Sequence, residues 1–341
     1  MDIASSLGVS KGTVSMALNG NDRVARKTRE SVHARARELG YVYNRAAASL
    51  ATGVTGLVGL AVHNLTNPYF TQVCSAIEHE LELSGKFALL CNLDESREKQ
   101  TRFLQALREQ NADGLIICPA IGTTVADLAV FNDIGPVVLF ARDVPGSGYD
   151  YVGNDDHLAM TMATRHLFEL GHRRLGFICG GNSTTVSIER RDGYLQAHRE
   201  YGIEADPDLM VEVKLVPEGG DEGARKLMAK TRPPTGIVCL TDYMALGAVS
   251  ALHSMGLKPG VDVAIIGCDG ISEGERAYIN LSTIDVQKQR LGQTAAQLLQ
   301  SRLKYPDKAP QIIRIEPVAR YRNSCGEAQQ NTDQSNKVSE T

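Results

Sequence analysis

The 341-residue chain lacks most signatures of a metalloprotein, a disulfide scaffold, a membrane protein or a cofactor enzyme. Its seven cysteines include no Cys-x-x-Cys pair, so neither a zinc site nor a disulfide framework is expected. Cys91, Cys118, Cys179, Cys239 and Cys268 fall in or beside apolar runs, where a free thiol packs as a small hydrophobe. The eight histidines show no metal-ligand spacing, so no metal is expected. No apolar run approaches the length of a membrane span, and no signal peptide is recognisable, which predicts a cytoplasmic chain. No Walker A sequence and no Gly-x-Ser-x-Gly elbow occurs. Gly56-Leu57-Val58-Gly59 enters a strand instead of following one, so it is not a dinucleotide fingerprint, and no cofactor is expected.

What is present is asymmetric. Residues 1–53 carry eight Lys/Arg against four Asp/Glu, a net +4 that leaves −8 on the remainder. A basic head on an acidic body suggests that only the head meets a polyanion. Within it, Ile3, Ala4 and Leu7 mark a short helix, and Gly8 supplies a tight turn plugged by Val9. Ser10 is placed to cap a second helix running to about Asn19, with Val14 and Leu18 inward. A third amphipathic helix, from about Lys27 to Leu39, carries Val32, Ala36 and Leu39 inside and stops at Gly40. Two short helices around a glycine occur in many folds, but this order is also the helix-turn-helix pattern, whose second helix enters the major groove.

From Leu57 onward apolar runs alternate with helical segments. Strands are expected at Leu57–Val62, Phe87–Cys91, Leu115–Cys118, Val137–Phe140, Leu175–Cys179, Ile237–Leu240 and Val263–Ile266, with helices such as Pro68–Ser84, Glu98–Gln110, Asp156–Leu170 and Tyr243–Met255 between them. Alternating β and α predicts mostly parallel sheets covered on both faces, with ligands at strand C-terminal ends.

The segments Asp2-Ile3-Ala4, Gly8-Val9-Ser10, Thr13-Val14-Ser15, Leu18-Asn19-Gly20, Leu39-Gly40-Tyr41 and Asn44-Arg45 through Leu50 closely resemble the lactose/galactose repressor (LacI/GalR) family. The resemblance extends to about Arg322. It implies an α/β chain: an N-terminal three-helix helix-turn-helix domain (1–43), a hinge helix and linker (44–53), and a two-lobed periplasmic-binding-protein-like core of doubly wound parallel sheets (54–323). The implied N-lobe is about 54–153 and 286–312, the C-lobe about 154–285 and 313–323, with crossings near Asn154, Asp285 and Ile313. The polar segment 324–341 is expected to be a disordered tail.

The same resemblance assigns DNA contacts to Ser10, Lys11, Gly12, Thr13, Ser15, Met16, Asn19 and Thr28, and to Asn44, Arg45, Ala47 and Leu50 of the hinge, where Leu50 matches a minor-groove wedge. Met16 departs from an Arg common in the family; it offers only apolar contact, so a base other than guanine is expected opposite it. Effector contacts fall on Tyr69, Phe70, Arg142, Arg190, Asp269 and, with less weight because it is also placed to cap a helix, Asp242. The family often has an aromatic lid near Val216–Glu222; none occurs here, so the ligand could be cationic or lack a flat ring. The expected function is a homodimeric repressor on a pseudo-palindromic double-stranded DNA operator, controlled by a small molecule, carbohydrate by default. A nucleobase or nucleoside effector, and a sugar-binding protein without regulation, are the alternatives.

Overall fold

The computed structural model describes residues 3–18, 23–41, 53–276 and 278–326. The chain falls into two compact units, Met1–Thr55 and Gly56–Thr341. In the first, α1 (Ile3–Leu7), α2 (Lys11–Leu18) and α3 (Arg26–Glu38) close on Ile3, Ala4, Val14, Ala17, Val24, Val32 and Ala36. Gly8 turns the chain at φ +64°, a conformation other residues adopt at a cost. The Ser10 Oγ accepts from the Thr13 amide at 3.0 Å and caps α2. Ala17, not Leu18, is the fully buried residue of α2; Leu18 packs at the margin.

The second unit contains two lobes, each a six-stranded sheet. The N-lobe begins with β1 (Leu57–Val62), α4 (Pro68–Leu83), β2 (Phe87–Asn92), α5 (Arg97–Glu109), β3 (Gly114–Ile117), α6 (Val125–Ala129), β4 (Val137–Phe140) and β5 (Asp150–Asn154). The C-lobe follows with α7 (Asp156–Glu169), β6 (Leu175–Cys179), α8 (Thr185–Glu200), β7 (Met210–Glu212), α9 (Pro217–Met228), β8 (Gly236–Cys239), α10 (Asp242–Ser254), β9 (Ala264–Asp269) and β10 (Ser282–Asp285). The chain then returns through α11 (Lys288–Lys304) and β11 (Ile312–Ile315) to the N-lobe and ends its last strand, β12 (Val318–Arg320), in the C-lobe. The sheet orders are β11-β5-β4-β3-β1-β2 and β12-β10-β9-β8-β6-β7, and every pairing is parallel except β10 with β12.

Side-chain caps fix where several helices begin, and so fix the loops at the strand ends. Asn67 accepts from the Tyr69 amide before Pro68, Asp155 from Leu158, Thr184 from Ser187 and Thr241 from Met244.

Two expected boundaries move. The third crossing falls between Ile315 and Val318, not near Ile313, because Ile312–Ile315 pairs in parallel with Tyr151–Asn154. The tail does not begin at 324: Ser324 and Cys325 are buried, and Ser324 donates to the Ile265 carbonyl while accepting from the Ser282 amide.

The helices of the C-lobe approach closely where glycine removes a side chain. A Cβ on Gly247 of α10 would lie 1.8 Å from the Pro217 carbonyl oxygen of α9. Gly247→Ala is therefore expected to destabilise the core by roughly 2–3 kcal/mol through overpacking, despite alanine's better helix propensity. Thermal melts of the two proteins check this; an unchanged melting temperature would contradict the packing described.

Candidate functional site

In the first unit the described DNA-contact candidates share the outward side of α2. Lys11, Gly12, Ser15 and Met16 are exposed, opposite buried Val14 and Ala17; Ser10 is exposed, and Thr13 is half-buried beside it. Thr28 is half-buried in the first turn of α3. Asn19, Asn44, Arg45, Ala47 and Leu50 lie outside the described residues.

In the second unit a cavity of about 440 Å³ opens between the lobes, at the C-terminal ends of their strands. Tyr69, Phe70, Arg142, Arg190 and Asp269 all line it. On the N-lobe wall Tyr69 and Phe70 start α4, with ring centroids 4.8 Å apart and edge-to-face. Arg142 follows β4 and holds Glu95 through two bonds of 2.9 and 2.8 Å. Its Nη1 also donates to the Pro119 carbonyl, and its Nη2 lies 3.2 Å from His63 Nε2. Burial, then the Arg142 charge, push the His63 pKa down to about 3, so the imidazole is neutral and accepts this bond. The backbone is strained here: Asp94 and Glu95 both sit at φ +55° and Ala141 at +59°.

On the C-lobe wall Arg190 spends all three nitrogens inside the protein. Its Nε donates to Asp156 Oδ1 at 2.7 Å, Nη2 to Asp269 Oδ1 at 2.8 Å, and Nη1 to the Leu240 carbonyl at 2.6 Å. Arg190, Asp156 and Asp269 are each at most 3% exposed. Burial pushes the Asp156 carboxyl up to about 6 against the opposing pull of Arg190. Asp269 is held at φ +131°. The Lys288 ammonium donates to the carbonyls of Asp269 (2.7 Å) and Gly270, clamping that turn.

Asp242 does not join the cleft. It is fully buried under the turn that follows β9, where Oδ2 accepts from the Ile271 amide and the Thr283 hydroxyl, each at 2.9 Å. Nor does it cap α10, since Thr241 does. As the first residue of that helix it turns inward, so its place after a strand misleads. The residues not anticipated are Asp156, Asn154, His63 and Glu95, which also line the cavity. The first two flank the end of β5, whose Asp-Tyr-Val-Gly-Asn sequence does not read as a strand. Leu215 and Val216 line the cavity where an aromatic lid was absent from the sequence. Among the described residues no group of three His, Cys, Asp or Glu side chains could hold a metal ion, and no helix is long and apolar enough to cross a membrane.

Residues 1–44 match the family model described as bacterial regulatory proteins, lacI family, and residues 164–325 match a periplasmic binding protein-like domain. The chain is 32% identical over 311 residues to the HTH-type transcriptional repressor PurR of Haemophilus influenzae (strain PittEE), covering 91% of this chain and 92% of the relative. The chain belongs to the LacI family. It is a DNA-binding transcriptional repressor of that family and not an enzyme. Among solved structures, the lac repressor dimer bound to operator and the anti-inducer ONPF superposes with a TM-score of 0.79 at 26% identity, covering 95% of this chain and 98% of that one. The transcriptional regulator CelR in complex with cellobiose gives 0.72 at 27% identity, with 94% and 98% covered. LacI-family regulators bind operators and small-molecule effectors and act as dimers.

The buried carboxylates give a pH signature. Burial and the Asp269 charge raise the Asp242 pKa. A raised carboxyl contributes stability that is complete below its unfolded value, about 3.9, and is lost as pH rises through the folded value. The depressed histidines, His63 and His166, act oppositely, contributing stability that is lost as pH falls. The difference between variant and wild type isolates Asp242. Asp242→Asn is expected to gain melting temperature relative to wild type on going from pH 5 to pH 8; a pH-independent difference would show that Asp242 carries no such strain.

Proposed function

We propose that the chain is a cytoplasmic, homodimeric repressor whose affinity for a pseudo-palindromic operator is set by a small molecule held between the lobes of its core. The observation that carries this reading is that both lobes build the cavity, Tyr69, Phe70 and Arg142 from one side and Arg190 and Asp269 from the other. A molecule bridging the two walls favours one lobe orientation, and its differential affinity sets the shift. By linkage the operator changes effector affinity by the same factor.

The chemistry of the lining supports a carbohydrate. Asn64, Asn67, Asn92, Thr66, Thr184 and Thr241 offer neutral hydrogen-bonding groups suited to hydroxyls. Both cleft arginines are already matched to carboxylates, so an anion finds no uncommitted cation there. CelR, of the same fold, is solved with cellobiose. A nucleobase or nucleoside is the second reading, favoured by the Tyr69–Phe70 pair on the N-lobe wall.

The decisive experiment for the DNA half is selection of duplex sites from a random pool by the full chain. A two-fold pseudo-palindrome is expected, without an invariant guanine under Met16, and Met16→Arg should convert that position to guanine. Failure to enrich any two-fold site would overturn the operator reading.

The dimer reading points to β2. Among the described residues this strand is the last of its sheet, and it exposes Leu89 (39%) and Leu90 (46%). Native proteins rarely leave neighbouring leucines exposed on a terminal strand, so a second copy is their expected cover. Leu90→Glu should give a monomer in sedimentation and weaken operator binding by about 10²-fold or more through lost bivalency. A Leu90→Glu dimer of normal affinity would place the interface elsewhere.

A further inference from the structure

The two walls of the cleft differ in their charge balance. On the N-lobe wall one guanidinium, Arg142, meets one carboxylate, Glu95. On the C-lobe wall one guanidinium, Arg190, is shared by two carboxylates, Asp156 and Asp269, and its remaining nitrogen is on a backbone carbonyl. The neighbouring cations are committed elsewhere. Lys288 donates to the Asp269 and Gly270 carbonyls beside Asp285, and Arg314 grips Glu189 and the Asn154 carbonyl. Within the Arg190 cluster itself two buried carboxylates therefore meet one guanidinium, an excess of one negative charge, with the Lys288 charge felt at Asp269.

The excess has a location. Asp156 lines the cavity and is 1% exposed, and only its Oδ1 is satisfied; Oδ2 has no hydrogen-bond partner among the described residues. Asn154, two residues earlier and also lining the cavity, leaves Oδ1 without a partner. A buried acceptor without a donor is unfavourable, and more so when it is charged. Both unmet groups are acceptors.

We infer that the effector carries a protonated amine that seats on Asp156, making the cleft specific for hydroxylated amines over their neutral or anionic counterparts. A neutral hydroxyl could complete the hydrogen bonds but would leave the charge unmatched. An ammonium brings three donors, no acceptor and the compensating charge. A phosphate or a sugar acid would add a negative charge to a wall already in excess. This deepens the cleft reading given above and rests on it.

The test uses the full-length protein and matched sets of probes: D-glucose with D-glucosamine, glucose 6-phosphate and gluconate; D-galactose with D-galactosamine; and adenosine and guanine as neutral bases. Thermal shift identifies binders and calorimetric titration ranks them. At least one hydroxylated amine should stabilise the protein, with its neutral parent binding about tenfold weaker or worse. Asp156→Asn should erase that preference, bringing the ratio of amine to parent affinity to about one. Selectivity of the wild-type protein alone decides the question if the variant does not fold. Stabilisation confined to neutral or anionic probes, or equal affinity for amine and parent, overturns this inference and leaves the effector cleft standing. Silence across every set overturns both.

Discussion

The fully buried guanidinium of Arg190 is the contact on which the C-lobe side of the cleft depends. Its partners come from the start of α7, the end of β9 and the residue after β8, while Arg190 itself lies on α8. Desolvating three charges is expensive, and the pairing repays it only while every member is in place. The cluster thus fixes the relative positions of four elements at the C-terminal end of one sheet. Asp156 reaches this cluster because Asp155 caps α7 directly after β5, leaving a single residue between the strand of one lobe and the helix of the other. Asp269 reaches it through a backbone angle that a side-chain-bearing residue seldom adopts. That angle is held from one side by Lys288 on the two carbonyls and from the other by Asp242 and Thr283 on the amides of Ile271 and Gly270.

The N-lobe wall solves the same problem differently. Arg142 emerges after a strand as Asp269 does, and the preceding Ala141 carries the strain. Its carboxylate partner, Glu95, also sits in a left-handed backbone conformation and accepts from the Ile121 amide. Strained positions thus gather at the cleft from both lobes. They persist because ion pairs and capped helices over-determine them. What distinguishes the walls is stoichiometry: one carboxylate per guanidinium on the N-lobe, two on the C-lobe.

Much of this was readable from the residues. The central strands β1, β3, β4, β6, β8 and β9 are continuous apolar runs because both of their faces are covered. Five short strands escaped notice: β5 contains Asp150, Gly153 and Asn154, β7 and β12 have three residues each, β10 is Ser-Thr-Ile-Asp, and β11 is interrupted by Arg314. Arg142 and Asp269 could be found because each lies at the C-terminal end of an apolar strand, and Arg190 because its motif resembles the family's. Asp156 and Glu95 could not, since what marks them is a partner 34 or 47 residues away. Asp242 shows the limit of the strand-end rule. The rule locates a residue at the right end of a sheet, but the helix that starts there decides whether its side chain faces the cavity or the interior.

The ties between lobes explain why a small ligand can govern their orientation. Arg314 on β11 bonds both oxygens of Glu189 on α8 at 2.9 Å, and Gln72 on α4 donates to Ser272 at 3.1 Å. The Arg314 and Glu189 side chains are 41% and 29% exposed, so water screens the pair, and exposed pairs of this kind contribute ~0.2–1 kcal/mol. Moving a two-state equilibrium from 1:99 to 99:1 takes about 5.5 kcal/mol of differential binding. A few hydrogen bonds to charged groups, at about 1.5–3 kcal/mol each, supply that amount. Apart from the buried Lys288 bonds to the Asp269 and Gly270 carbonyls, the lobes are joined loosely where they touch at the surface, while each holds its own arginine firmly. A ligand engaging both buried clusters acts on the weak junction and leaves the rigid ones intact.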